Sequence, residues 1–459
     1  MKSLRRPMRS GMRTIVAGLV LCCAAQPLVA ADRFVSTGGS DATNDCLAAA
    51  SPCRTLGHAL AQAASGDAVK LAVGRYEEST ALVDSTTTLT LSGGWSADFA
   101  TRDPVRAPSM LQGTGAEVGS LDLQAGAGDV IDVTLDGLVF TRNRGFYGAV
   151  RVWTLVDGAA HLSVVGSTIT GNLAGQFGAY NYGATGGLSV YASGTSTVDL
   201  ELTDSLISKN TGESGPIRLS AADASTVQVL LSRCVVERNR AFAGAGLNAV
   251  STGGTLTVVL VDSALRRNKA NLPALSPGRG GGLFATGGPT LVTLTNSIVS
   301  RNRANKGGGI VANGSARVEL LNATVAHNIA PGRDTANDFG VGGGMHVDSD
   351  ATVRLTNAIL WKNKAYSARD LFMGNFGTLL VVDADHSDVG DRVILGGTFN
   401  DLGGNIDADP RTAGTDERLL AGSPAIDTGT CTGAPATDFE GDPRPTGAGC
   451  DMGADEFVP

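Results

Sequence analysis

Eight asparagines set the frame for this chain: Asn143, Asn172, Asn210, Asn239, Asn268, Asn302, Asn328 and Asn363. Three residues before each stands an apolar residue: Phe140, Ile169, Ile207, Val236, Leu265, Val299, Val325 or Leu360. Eight before comes Leu135, Val164, Leu202, Leu231, Leu260, Leu294, Leu320 or Leu355. Ten before comes Val133, Leu162, Leu200, Val229, Val258, Val292, Val318 or Val353. No column breaks. The spacing of two between the last two columns is strand alternation, with both residues inward and the one between them outward. Glycines follow the asparagines of the repeat core, then another short alternating run, as in Gly307-Gly308-Gly309-Ile310.

A unit of 26 to 38 residues therefore holds several short strands and has one apolar edge to bury. Such units must stack. Stacking in register puts like on like at a spacing of about 4.8 Å. Asparagine tolerates the left-handed conformation of a sharp turn, and its side chains hydrogen-bond along a ladder. The residue five before each asparagine is mostly small: Ser167, Ser205, Ser263, Ser297, Ala323 and Ala358. Cys234 occupies that column, which makes it a buried small residue rather than a nucleophile. The predicted fold is all-β, a single-stranded right-handed parallel β-helix.

Composition agrees. Glycine supplies 62 of 459 residues and hydrophobic residues 42%, so the chain has many turns and still a core. Residues 1–31 read as a signal peptide: Lys2, Arg5, Arg6, Arg9 and Arg13, then an apolar run from Thr14, then Val29-Ala30-Ala31. The whole chain has 36 basic and 44 acidic residues; removing five bases and no acid leaves 31 against 44, net −13. Bulk charge then excludes nucleic acid as a partner. An exported chain permits disulfides, and Cys46–Cys53 and Cys431–Cys450 are the local pairs near the two ends. The expected layout is residues 32–125 as N-terminal cap and first rungs, 126–365 as repeat core, and 366–459 as last rungs and capping region. Cys53 to Ala64 reads as an amphipathic helix covering the N-terminal opening. The tail is expected to cover the other opening as an irregular cap.

The repeat resembles those of pectate-lyase-like and polymorphic outer-membrane-type proteins. The ends sharpen the likeness: Pro52-Cys53-Arg54-Thr55 and Gly93-Gly94-Trp95 on one side, Ser423-Pro424-Ala425-Ile426-Asp427, Arg444-Pro445 and Asp451-Met452-Gly453-Ala454-Asp455-Glu456 on the other. These resemble bacterial proteins of the choice-of-anchor Q group, which implies the fold and export but no fixed activity. The chain stops at Phe457-Val458-Pro459 without a sorting tail, which argues against self-anchoring.

Two outward features carry the functional expectation. Basic residues flank the asparagine turns: Arg142 and Arg144, Lys209, Arg238 and Arg240, Arg267 and Lys269, Arg301 and Arg303, Lys362 and Lys364, with His327 in the same place. In register they form a stripe, suited to an acidic polysaccharide; the plainer account is a solvated edge. Three turns after the asparagine are long, Asn172 to Gly186, Asn268 to Gly280 and Asn328 to Gly342, and bring Tyr180, Tyr182, Arg279, Arg333, Asp334 and Asp338 to the same corner. Tyr180 and Tyr182 suit sugar stacking, alongside Arg238, Arg240, Arg267, Lys269, Arg301 and Arg303 as cations.

The catalytic candidates adjoin the third long turn. His346, Asp348 and Asp350 alternate with Met345 and Val347 and are expected to face outward on one strand, with Asp334 and Asp338 above them. A histidine with carboxylates does acid–base work or holds a metal. Asp383, Asp385, Asp388, Asp391, Asp401, Asp407 and Asp409 read as solvated acidic loops, with structural Ca²⁺ as the alternative. The functional expectation is a secreted or surface-associated, monomeric, non-enzymatic binder of anionic glycan, adhesin-like. The alternatives are a polysaccharide lyase or hydrolase and a purely structural envelope protein. The expected compartment is the extracellular space or outer cell surface, or the periplasm.

Overall fold

The computed structural model describes residues 30–459 except 84, 114, 116, 175–182, 271–277, 333–339, 375 and 378. Of the segment that reads as a signal peptide, residues 1–29 lie outside the described residues. Among the described residues, strands stack into three long parallel sheets of thirteen, eleven and eleven strands and one of five. One rung runs through all of them. Sheet 1 takes seven-residue strands such as Thr226–Ser232, and sheet 2 takes three residues such as Val235–Glu237. Sheet 3 takes two, as in Arg240–Ala241, and sheet 4 takes six, as in Leu247–Thr252. The chain then enters sheet 1 again at Thr255–Val261. Each strand pairs with the equivalent strand one rung on, so this is the right-handed parallel β-helix that the columns predict.

The register matches the repeat. Val229 pairs with Val258 and Leu231 with Leu260, and all four belong to the continuous buried core. Cys234 is wholly buried, and its thiol, pushed up to about 11 by burial, is no nucleophile. The asparagines form one ladder. Each Nδ2 donates to the next Oδ1, at 2.9 Å from Asn143 to Asn172 and 3.0 Å from Asn328 to Asn363. The last donates to Asp370 at 2.8 Å. Each Nδ2 also reaches the carbonyl of the apolar column in the preceding rung, as Asn172 does to Phe140 at 3.1 Å. Glycine closes the motif because a Cβ on Gly344 would stand 2.8 Å from the Asn363 amide.

One expectation is corrected at this corner. The ladder asparagines are not left-handed; the residue before each one is. Arg142, Lys209, Arg238, Arg267, Arg301, His327 and Lys362 have φ between 55° and 58°. The asparagine side chain is needed inside the coil, so the neighbour takes the strained conformation. Asparagines do adopt it at the other corner, between sheets 1 and 2, where Asn296, Asn322 and Asn357 have φ of 46°, 47° and 50°.

The N-terminal opening is capped as expected. Helix α1 (Leu56–Gln62) buries Leu56, Ala59 and Leu60, and Thr55 caps it. The Glu78 carboxylate receives the Leu56 and Gly57 amides at 2.7 and 2.8 Å. Cys46 and Cys53 are bonded, as are Cys431 and Cys450.

The tail does something else. Rungs continue to Thr398–Asp401, and the chain then turns back along the outer face of sheet 2 instead of closing the end. Leu419, Ala425 and Met452 pack on Ile359, and Ala454 packs on Ala264 and Ile298. Asn322 and Asn357 donate to the Asp451 and Thr430 carbonyls at 3.1 and 2.7 Å. Arg444 and Glu456 pair at 3.0 Å inside this strap, with side chains 0% and 1% exposed. At the open end the inward positions of the last rung hold Arg392, Phe399 and Asp401, under Leu371, Val382 and Ala384. The Arg392 guanidinium lies 5.1 Å over the Phe399 ring. Inward charge at an edge discourages further strand pairing.

Candidate functional site

The basic stripe divides into two columns with different fates. The residues before the asparagines meet the strap in the later rungs. Arg301 reaches Glu417 at 2.5 Å and the Gly414 carbonyl at 2.7 Å. His327 lies 3.1 Å from the same carboxylate, which is wholly buried. Arg266 pairs with Glu237 and Asp416 at 3.0 and 2.9 Å, and Lys362 with Asp409 at 3.1 Å. Arg238 stays half exposed beside Glu237, and Arg267 has no carboxylate in reach among the described residues. The single continuous track expected from sequence is therefore half covered by acids of the same chain.

The residues after the asparagines remain open. Arg240, Lys269 and Arg303 pair in register on consecutive rungs of sheet 3, then Ile329 and Lys364. Arg240 and Lys269 are exposed, Arg303 partly so. Among the described residues no carboxylate lies within ion-pair distance of these three. Tyr180, Tyr182, Arg333, Asp334 and Asp338 fall outside the described residues. Arg279 and Lys306 are described and stand one rung apart at the corner. Burial and Arg279 hold the Lys306 ammonium below its ordinary value.

The His346 cluster differs from expectation. Met345 and Val347 do face the core, so His346 points out of the coil, yet it is only 4% exposed. It is stacked between Val311 and Phe372 in its column, its ring 5.0 Å from Phe372. The strand ends at Val347, and Ser349 turns left-handed with φ 59°. Asp350 therefore leaves the strand and takes the Leu379 amide at 3.1 Å. His346 Nε2 lies 3.4 Å from Asp348 Oδ2, and Nδ1 is buried without a hydrogen-bond partner. Burial lowers the His346 pKa, against the pull of Asp348. A ring sealed from solvent is poorly placed to exchange protons with a polysaccharide.

The acidic segments are also less open than expected. Asp383 and Asp385 lie on a strand of sheet 1, Val381–Asp385. Asp388 is wholly buried, and burial together with Asp407, Asp370 and Asp409 pushes its carboxyl up to about 8. Asp391 pairs with Arg369, Asp401 accepts from Asn405, and Asp409 pairs with Lys362. The carboxylates that do converge are in the strap: Asp438, Glu440 and Asp455 place oxygens within 4.8 Å of one another. Arg418 Nε, 3.1 Å from Glu440, supplies a positive charge there.

One face escaped the sequence reading. The alternation after each glycine cluster points Arg151, Ser189 and Arg218 outward in one column of sheet 4, and Trp153 and Tyr191 in the next. Tyr147, Trp153 and Tyr191 form an edge-to-face chain with centroids 5.6 and 5.4 Å apart. A second depression, of about 500 Å³, lies on the outer face of sheet 1 between His161, Asp199, Glu201, Leu230 and Val259.

The register and the core define the class, a parallel β-helix. No protein-family model matches the chain, and no curated protein matches it in sequence. Four chains of solved structures match, among them the crystal structure of pectate lyase Pel9A. That chain is 13% identical, the match covers 93% of this chain and 96% of that one, and the TM-score is 0.39. So loose a likeness carries no argument about activity.

Proposed function

We propose that the protein is an exported β-helix that binds an anionic glycan along its cationic edge without altering it chemically. The observation that carries this reading is the ladder of Arg240, Lys269 and Arg303, stacked in register and without carboxylate partners among the described residues. Like charges one rung apart repel by a few tenths of a kcal/mol each. A multivalent anion would relieve that repulsion, and its negative groups would meet cations at the rung repeat of about 4.8 Å. Two disulfides fit an oxidising compartment, and no helix among the described residues is long and apolar enough to cross a membrane. The C-terminal motifs support placement in the choice-of-anchor Q group. A lyase or hydrolase has less support, since His346 is buried.

Calorimetric titration with polygalacturonate and heparin, at low and moderate salt, tests the reading. We expect salt-sensitive binding and a loss of roughly ten-fold or more on combined reversal of Arg240, Lys269 and Arg303 to Glu. If no acidic polymer binds, or reversal leaves affinity unchanged, the reading fails. Release of unsaturated sugars or new reducing ends would overturn its non-enzymatic part.

A further inference from the structure

We infer that the outer face of sheet 4 between Leu121–Ala125 and Ile217–Ala222 is a separate site for one anionic sugar unit, with Tyr147, Trp153 and Tyr191 as stacking platform and Arg218 as anion anchor. The inference builds on the glycan-binding reading but uses another face and other residues.

Two arginines in one column make the case by contrast. Arg151 is matched: it grips Asp122 through Nε and Nη2 at 2.8 and 2.6 Å. Its guanidinium lies 4.9 Å from the Tyr147 ring and 4.7 Å from Trp153, so it also fixes the aromatic chain. Arg218 stands two strands on, beyond Ser189. Among the described residues it has no carboxylate and no hydrogen-bond acceptor in reach. Burial lowers its pKa, with only the Tyr147 and Tyr191 oxygens offsetting. Arg218 is part-exposed, and a cation partly withdrawn from water carries a desolvation cost that a fixed anion offsets. Asp122 shows that this face relieves that cost for Arg151 and not for Arg218.

The neighbouring polar atoms fit a sugar. Among the described residues Trp153 Nε1 is a buried donor without a partner, and Asn248 Oδ1, one strand beyond Arg218, is a buried acceptor without one. Arg218 offers the anion contact, and a turn of the Trp153 or Asn248 side chain on binding would add one donor and one acceptor. Tyr147, Trp153 and Tyr191 are each part-exposed, as stacking against the apolar face of a pyranose requires. A carboxylate and a sulfate would both satisfy Arg218, and the test separates them.

Short oligosaccharides are the probes, and reversal of the sheet 3 ladder separates its contribution from that of this site. Intrinsic tryptophan fluorescence and calorimetry would be followed with trigalacturonate, a sulfated chondroitin tetrasaccharide and neutral cellotetraose. We expect an acidic probe to bind, cellotetraose not to, and R218Q and W153A each to weaken binding at least ten-fold. R218K should recover part of the loss. Reversal of Arg240, Lys269 and Arg303 should change short-probe affinity less than two-fold. Should no acidic probe bind the folded protein, or cellotetraose bind equally well, the site is refuted. The same holds if R218Q, folded by circular dichroism, binds as the parent does. Loss of polymer binding on ladder reversal with R218Q silent would sink this site and keep the ladder; the converse would keep the site and sink the ladder.

Discussion

The two ends of the coil face the same problem and meet it by different means. Each would expose unpaired strand edges and apolar core. At the N-terminal end, helix α1 lays Leu56, Ala59 and Leu60 over the opening, and the Cys46–Cys53 disulfide and the Arg33–Asp67 pair at 2.5 Å hold the chain around it. At the C-terminal end nothing among the described residues lies over the last rung. Its inward positions hold the charged Arg392 and Asp401 beside Ile394 and Phe399, and the tail braces the side of the coil. One end is sealed by burial and the other is protected by charge. Burial protects a folded edge thermodynamically, whereas charge mainly disfavours wrong partners.

The largest test of that contrast lies in the strap. Glu456→Ala leaves Arg444 buried and unmatched, and should lower unfolding free energy by about 3–5 kcal/mol in a denaturant titration. Leu56→Ala opens a cavity under α1 and should cost about 2–4 kcal/mol. Replacing Cys46 and Cys53 together by Ser should cost about 2.5 kcal/mol, read as a lower melting temperature without reductant. If either N-terminal change is silent, the cap does not seal the end.

The ends should also answer pH with opposite signs. Burial opposes ionisation of Asp67, but the Ala64 and Ala31 amides and Arg33 hold its pKa below the ordinary value. Its contribution is present above the unfolded pKa and is lost only as pH falls through the folded one. In the strap, burial pushes Asp451 up to about 6, against the Phe457 and Asp427 amides. Burial and neighbouring carboxylates push Glu440 and Asp455 up as well. The folded strap thus holds more protons than the unfolded chain between pH 4 and 7, and its stability falls as pH rises through that window. Hydrogen exchange, corrected for intrinsic rate, should show the strap better protected at pH 5 than at pH 8, by roughly 2 kcal/mol. Equal protection at both would refute the assignment. The smallest effect on stability, under about 1 kcal/mol, is expected of R392L with D401L. The pair should nonetheless self-associate through the open end in sedimentation, while the parent does not.

The repeat columns made the coil legible because inward positions recur with one spacing and every rung obeys the same packing. Cys234 and the capping helix followed from that frame. The strap was not legible, because its contacts with Asn322, Asn357 and Thr324 are single long-range events with no period to detect. The stripe was read as continuous for the same reason: Glu417 and Asp409, far along the chain, pair with Arg301 and Lys362. His346 was placed outward correctly, but alternation gives direction and not exposure; Phe372 in the next rung covers it. Arg218 and Trp153 were visible in the alternation and were overlooked because they belong to no conspicuous column.

The asparagine ladder has a polarity. Every Nδ2 donates toward the C-terminus, and the row ends on Asp370, whose carboxylate accepts from Asn363 and, through its second oxygen, from the Asp391 amide at 3.0 Å. An asparagine passes the pattern on, because it accepts from one side and donates to the other. An aspartate only receives. A new rung inserted between two existing ones would find both neighbours ready, whereas one added beyond Asp370 would meet a residue with no proton to give. The ladder can therefore grow or shrink by whole units from within, as a zipper gains teeth in its middle, and Asp370 ends it one rung before the coil itself ends at Thr398–Asp401.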